Sequence, residues 1–202
     1  NLSAAMLSNG TAVDLRNIYG SASPCSIALD NNNNAFVTLF DSGSVIRINN
    51  TTNLIDRIGI PPVSALGTNN FLTSSDYVTN QGWVGEFKYL PSSVDVDKDG
   101  NVYVVYTHPR GTTLARFDND LNYNKRISGL FGTLYYAQKI VIDRNNNIWM
   151  AVTRRNASSS GSANLSGKND VVYLLKDTGT SNIPPLTTFA GFKQISDITV
   201  DG

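Results

Sequence analysis

The chain is short of the groups on which most enzyme chemistry depends. Its 202 residues include one histidine (His108), one cysteine (Cys25) and one glutamate (Glu86). A lone cysteine excludes an intrachain disulfide. At the start of an apolar stretch, Cys25 is expected to be a small buried hydrophobe rather than a reactive thiol. Charge is also scarce: Asp, Glu, Lys and Arg make up 16% of the chain, and the formal net charge is zero. A nucleic-acid binder would show a basic excess or stripe, and a protein held electrostatically on anionic lipid would too, so neither partner is expected. No run approaches the ~18 apolar residues of a membrane-spanning helix, so membrane insertion is not expected. No signal peptide is visible, and the sequence begins at Asn1 rather than Met. Polarity comes instead from Asn, Ser and Thr, a composition that suits an extracellular, cell-envelope or virion setting.

What the chain does have is one pattern repeated. Pro91-Ser92-Ser93-Val94-Asp95-Val96-Asp97-Lys98-Asp99-Gly100-Asn101-Val102-Tyr103-Val104-Val105 reads as an apolar strand, a tight polar turn and a second apolar strand. Pro24 to Thr38 and Ala137 to Ala151 repeat it without gaps, and a further copy begins at Ile195. The anchoring aspartates Asp30, Asp97, Asp143 and Asp201 are 67, 46 and 58 residues apart. Two more short strands fit behind each copy. In the first unit the four strands are expected at 26–30, 35–40, 44–49 and 54–58. In the second they are expected at 94–97, 102–107, 114–118 and 123–127, and in the third at 139–143, 148–153, 171–176 and near 186–189. Asn9-Gly10, between apolar stretches, predicts a hairpin within residues 1–23.

Four-stranded units repeated at this period predict an all-β fold, a β-propeller of antiparallel blades. The whole of 1–202 reads as one propeller segment. It comprises blade-end strands at 1–23, blades at about 24–90, 91–136 and 137–194, and the start of another at 195–202. About three full blades do not close a ring, so a longer polypeptide or an oligomeric assembly is expected.

The Val-Asp-Val-Asp-x-Asp-Gly-Asn-Val-Tyr-Val stretch from Val94 resembles NHL-type repeats, as does Ile-Val-Ile-Asp-x-Asn-Asn-Asn-Ile-Trp-Met from Ile140. Both also resemble the repeats of two-component-regulator propellers, and Ile195 to Gly202 resembles the opening of the latter. The resemblance implies the fold and leaves the activity open, because such blades serve sensors, scaffolds and a few enzymes. Asn33 and Asn146 stand where the repeat usually has Gly. Asn is the next best residue for positive φ, so the turn is expected to survive.

Strand order places the first-to-second and third-to-fourth strand turns on one face. The other connections, including the long ones at 59–90 and 154–170, fall on the opposite face. Long loops on one rim of a rigid scaffold are where binding usually resides. The candidate binding residues there are Tyr77, Trp83, Glu86, Phe87, His108, Arg110, Arg154 and Arg155. The aromatics suit stacking on a glycan or a protein partner, although they can equally pack back over the core. Asp95, Asp97 and Asp99 match the start of a calcium loop, but Tyr106 stands where such a loop places its bidentate Glu. Local hydrogen bonding explains aspartates at a turn equally well. Calcium is thus the one cofactor that the sequence raises, and the turn reading is preferred over it. A lactonase-like propeller site would need Glu, Asp and Asn around a metal, and a lyase-like site would need histidine with acidic groups. One Glu and one His supply neither, so a non-catalytic recognition or scaffold module is expected, with a propeller enzyme as the alternative.

Overall fold

A computed structural model describes residues 4–6, 12–14, 23–40, 42–61, 90–108, 111–127, 135–154, 170–179, 185–192 and 195–200. All the regular structure among them is strand. β1 (Ala4–Met6) and β2 (Ala12–Asp14) form the N-terminal hairpin, with Ala4 opposite Asp14. Blade 1 is β3 (Pro24–Leu29), β4 (Ala35–Leu39), β5 (Ser44–Ile48) and β6 (Ile55–Gly59). Blade 2 is β7 (Leu90–Val96), β8 (Val102–His108), β9 (Gly111–Phe117) and β10 (Tyr123–Ile127). Blade 3 is β11 (Tyr135–Ile142), β12 (Asn147–Arg154), β13 (Asp170–Lys176) and β14 (Thr187–Phe192). Each blade is an antiparallel meander in chain order.

The anchoring turn is the same object three times. Asp30, Asp97 and Asp143 each accept from two backbone N–H groups through Oδ1, those of the residues two and four further on. Each Oδ2 accepts from the side-chain amide of the Asn four further on: Asn34, Asn101 and Asn147. The residue three after the aspartate is left-handed in every copy, with φ of 60° at Asn33, 83° at Gly100 and 60° at Asn146. Asn is thus tolerated where Gly would be easiest, as the sequence predicts. A fourth such turn, Asp118 to Asn122, joins β9 to β10 and puts Leu121 at φ 61°. Its Asp-x-x-x-Asn spacing was available in the sequence, but the apolar Leu121 disguises it.

Every innermost strand begins two to four residues earlier than its apolar alternation implies. The reason is a bulge in each inner pair. The register shifts at Cys25, Ser92 and Gln138, which are equivalent positions. The extra residue breaks the period of two on which a sequence reading depends. β13 starts at Asp170, and β14 runs on to Phe192, beyond the expected 189.

Cys25 corrects an expectation. It stands at a strand start but is exposed. Its Sγ donates to Pro91 O at 2.9 Å and lies 3.1 Å from Thr38 Oγ1. As the bulge residue it points along the seam between blades instead of into the core. Ser92 repeats the arrangement, donating to Ala137 O of the next blade.

β3, β7 and β11 lie side by side. Ser26 Oγ accepts from Val94 N and Ser93 Oγ from Ile140 N, so the inner strands run in the same direction. The core is therefore inter-blade. Phe36 and Val45 of blade 1 pack with Val94, Val102, Val104, Tyr106, Ala115, Phe117 and Leu121 of blade 2. Tyr103, Val105 and Leu114, on the other face of blade 2, pack with Ala137, Ile140, Ile148, Met150, Val152, Val171 and Leu175 of blade 3. Both faces of blade 2 are buried by its neighbours, which is why strands such as Val102-Tyr103-Val104-Val105 are continuously apolar. Each fully buried side chain of this size contributes about 1.5–3 kcal/mol.

Charged clasps reinforce both seams. Arg47 on β5 holds Asp56 bidentately, both bonds 2.9 Å, and reaches Asn119 O at 2.7 Å and Asp120 Oδ1 at 3.2 Å in blade 2. Arg116 occupies the matching place on β9 and donates to Asp177 of blade 3 at 2.8 Å, beside Tyr103 OH at 3.1 Å and Lys125 Nζ.

Candidate functional site

The parallel inner strands give the assembly two edges. One carries the aspartate turns. The other carries the connections between second and third strands and those from blade to blade. The chain leaves this loop edge at Pro61 and returns at Leu90, then leaves again after Arg154 and returns at Asp170. His108 pairs with Gly111 across a two-residue hairpin on the same edge.

Of the candidate binding residues, His108 ends β8 and Arg154 ends β12, where it pairs with Tyr135. The topology brings both strand ends to the loop edge. Tyr77, Trp83, Glu86, Phe87, Arg110 and Arg155 lie outside the described residues.

On the turn edge, the three candidate calcium-loop aspartates each have their own hydrogen-bond partners. Asp97 accepts from Asp99 N, Asn101 N, Asn101 Nδ2 and, at 3.4 Å, Tyr103 OH. Asp95 has other partners. Its Oδ1 accepts from Val96 N, and its Oδ2 from Ile142 N at 2.6 Å in the next blade. Burial is the main influence on this carboxyl and pushes it above the ordinary aspartate value, against the pull of those two bonds and of Lys139. Asp99 Oδ2 accepts from Asn146 Nδ2 at 2.7 Å. The three carboxylates thus serve three different partners. Among the described residues no group of three His, Cys, Asp or Glu side chains is arranged to hold a metal. The geometry is that of turn and seam chemistry. Asp30 and Asp143 sit in the same environment, where burial is outweighed by the Asn and backbone N–H donors that hold their carboxyls below 3.8.

Sequence reasoning missed a polar belt just beneath the loop edge. Gln138 Nε2 donates to Thr153 Oγ1 at 2.9 Å, and Thr153 Oγ1 donates to Asp170 Oδ2 at 3.3 Å. Ile195 N donates to the same Oδ2 at 2.7 Å. Asp170 is fully buried, and among the described residues its Oδ1 has no hydrogen-bond partner. Thr112 stands at the equivalent position of blade 2, where its Oγ1 accepts from Ala137 N at 3.1 Å. An aspartate opening an apolar run is the only sequence trace of this belt, and it says nothing of Gln138 or Thr153.

Among solved structures, the chain is similar to hydrazine synthase from Kuenenia stuttgartiensis, with a TM-score of 0.54 and 10% identity over 83% of this chain and 37% of that one. It is also similar to the PQQ-bound aldose sugar dehydrogenase of Streptomyces coelicolor (TM-score 0.49, 13% identity, 80% of this chain and 46% of that one). A catalytically inactive virginiamycin B lyase from Staphylococcus aureus with quinupristin gives a TM-score of 0.49 and 14% identity, over 96% of this chain and 64% of that one. This chain spans less than two thirds of the length of each. No family model and no curated protein matches it. At these identities the likeness is one of fold. With the three repeated four-stranded sheets, it makes the chain an all-β propeller module.

Proposed function

We propose that this chain is a non-catalytic recognition or scaffold module of a secreted, cell-surface or virion-associated assembly, holding a protein or glycan partner on its loop edge. One observation carries the reading: blades locked by buried seams and charged clasps send both long connections, 62–89 and 155–169, from the same edge. A rigid base lowers the ordering cost of binding through loops. Neutral net charge and scarce catalytic groups agree with a binding role. The aromatic residues Tyr77, Trp83 and Phe87 supply contact area, while Glu86, His108, Arg110, Arg154 and Arg155 supply polar selection at the rim.

The test is site-specific photo-cross-linking in the native assembly. Probes at positions 83, 110 and 155 are expected to capture one defined partner, and probes at Lys98 and Asn50 on the turn edge are not. Capture only from the turn edge would sink the reading, as would metal-dependent turnover of a lactone by the chain.

A further inference from the structure

The seams between blades follow a rule that extends past blade 3. On the second strands of blades 2 and 3, the residues five, seven and nine after the turn aspartate face the preceding blade, and blade 1 has apolar residues at the same three positions. They are Ala35, Val37 and Leu39 in blade 1, Val102, Val104 and Tyr106 in blade 2, and Ile148, Met150 and Val152 in blade 3. Those of blades 2 and 3 press on a following face built from equivalent positions. In blade 2 that face is Tyr103, Val105 and Leu114, at most 3% exposed, with Arg116 beside them. In blade 3 it is Trp149, Ala151, Val172 and Leu174.

Among the described residues the following face of blade 3 is only partly covered: Ala151 is buried, but Trp149, Val172 and Leu174 are half-exposed. Trp149 stacks on Phe189 with centroids 5.9 Å apart, and Phe189 and Phe192 are each 42% exposed. Together with Val172 and the segment 195–200 they line an apolar groove of about 370 Å³. That segment already sits as an inner strand does. Ile195 N bonds Asp170 as Ala137 N bonds the equivalent Thr112. Ile198 faces Trp149 and Val172 from the position that Ile140 holds in blade 3. Among the described residues, however, 195–200 pairs with no second strand. Leu174 also replaces the clasp arginine, so the matching surface needs no acid at its outer turn.

We infer that this groove is the seat of another blade of the same repeat. Its second strand adds to the edge of 195–200 and lays alternate apolar side chains on Trp149, Val172 and Phe189. Continuity with the two observed seams selects this occupant over a small apolar ligand. The inference concerns a different surface from the loop edge and stands whether or not that edge binds a partner.

The probe is a synthetic peptide of residues 97–108 of this chain, which has the required alternation and no tryptophan. Added to the whole chain, it is expected to give a saturable blue shift of Trp149 emission that is absent in Trp149→Phe. A scrambled peptide of the same composition is expected to give none. Val172→Asp, with unchanged far-UV circular dichroism, is expected to weaken binding about tenfold or more, since it buries a charge under the strand. Ser196→Ala, outside the groove lining, is expected to bind as the parent does. No saturable shift, an equal response to the scrambled peptide, or stoichiometric binding of anilinonaphthalene sulfonate that the peptide fails to displace would each overturn the inference.

Discussion

The clasp at Asp177 gives the sharpest test of how the blades are held together. Its carboxylate accepts from Tyr103 OH at 3.1 Å, Arg116 Nη1 at 2.8 Å, Gly179 N at 2.8 Å and Lys125 Nζ. The side chains of Asp177, Lys125 and Arg116 are 7%, 13% and 21% exposed, so this is not a solvated surface pair worth at most about 1 kcal/mol. Asp177→Asn keeps the shape and removes the charge, leaving two cations facing each other with no anion between them. Removing one partner of a buried pair costs about 3 kcal/mol or somewhat more, and for a chain of this size that lowers Tm by about 6–12 °C. Burial pushes the Asp177 carboxyl up, but Lys125, Gly179 N and Arg116 more than offset it and hold it below 3.8. A carboxyl lowered in the folded state stabilises at pH values above its unfolded value, and that stability is lost as pH falls through the lowered one. The gap between parent and variant, read by circular dichroism melting, is therefore expected to be constant above about pH 5 and to narrow below about pH 4. Adding Lys125→Met is expected to recover part of the loss. A variant melting within about 2 °C of the parent at pH 7, or a gap indifferent to acid, would refute the reasoning.

Four further outcomes follow from single positions. Tyr106 is fully buried and, among the described residues, its hydroxyl has no hydrogen-bond partner, so Tyr106→Phe is expected to raise stability by about 1 kcal/mol in a urea titration; a loss would mean that the hydroxyl is satisfied. Gly100 sits at φ 83°, so Gly100→Ala is expected to cost about 1–2 kcal/mol. Asn33→Gly, at the same turn position, is expected to change stability by less than about 0.5 kcal/mol; equal effects of the two would contradict the turn account. Gly59 lets β6 approach blade 2, and an added Cβ would lie 3.1 Å from Leu121 Cβ and Phe117 Cε1. Gly59→Ala is thus expected to cost about 1–3 kcal/mol by calorimetry, and a neutral result would show that the seam can open.

The sequence alone determined the repeat, the four-strand unit, the turn positions and the placing of both long connections on one edge. These are local properties: a period of two, an aspartate that binds the backbone two and four residues on, and a residue able to take positive φ all lie within a few positions of one another. What the tertiary structure alone decided is how blade meets blade. The matched placement of Arg47 and Arg116 on their third strands was legible, but their partners Asp120 and Asp177 stand 73 and 61 residues away. Nothing in the intervening sequence marks that contact. Cys25 turned out to be a seam residue because the bulge beneath it rotates its side chain out of the alternating pattern. Asp95, Asp97 and Asp99 look convergent on paper, but their carboxylates accept from separate partners, Ile142 N, Asn101 and Asn146. The buried set of Gln138, Thr153 and Asp170 and the partly covered face around Trp149 exist only once neighbouring sheets are stacked, because burial in a propeller belongs to the pair of blades and not to either one.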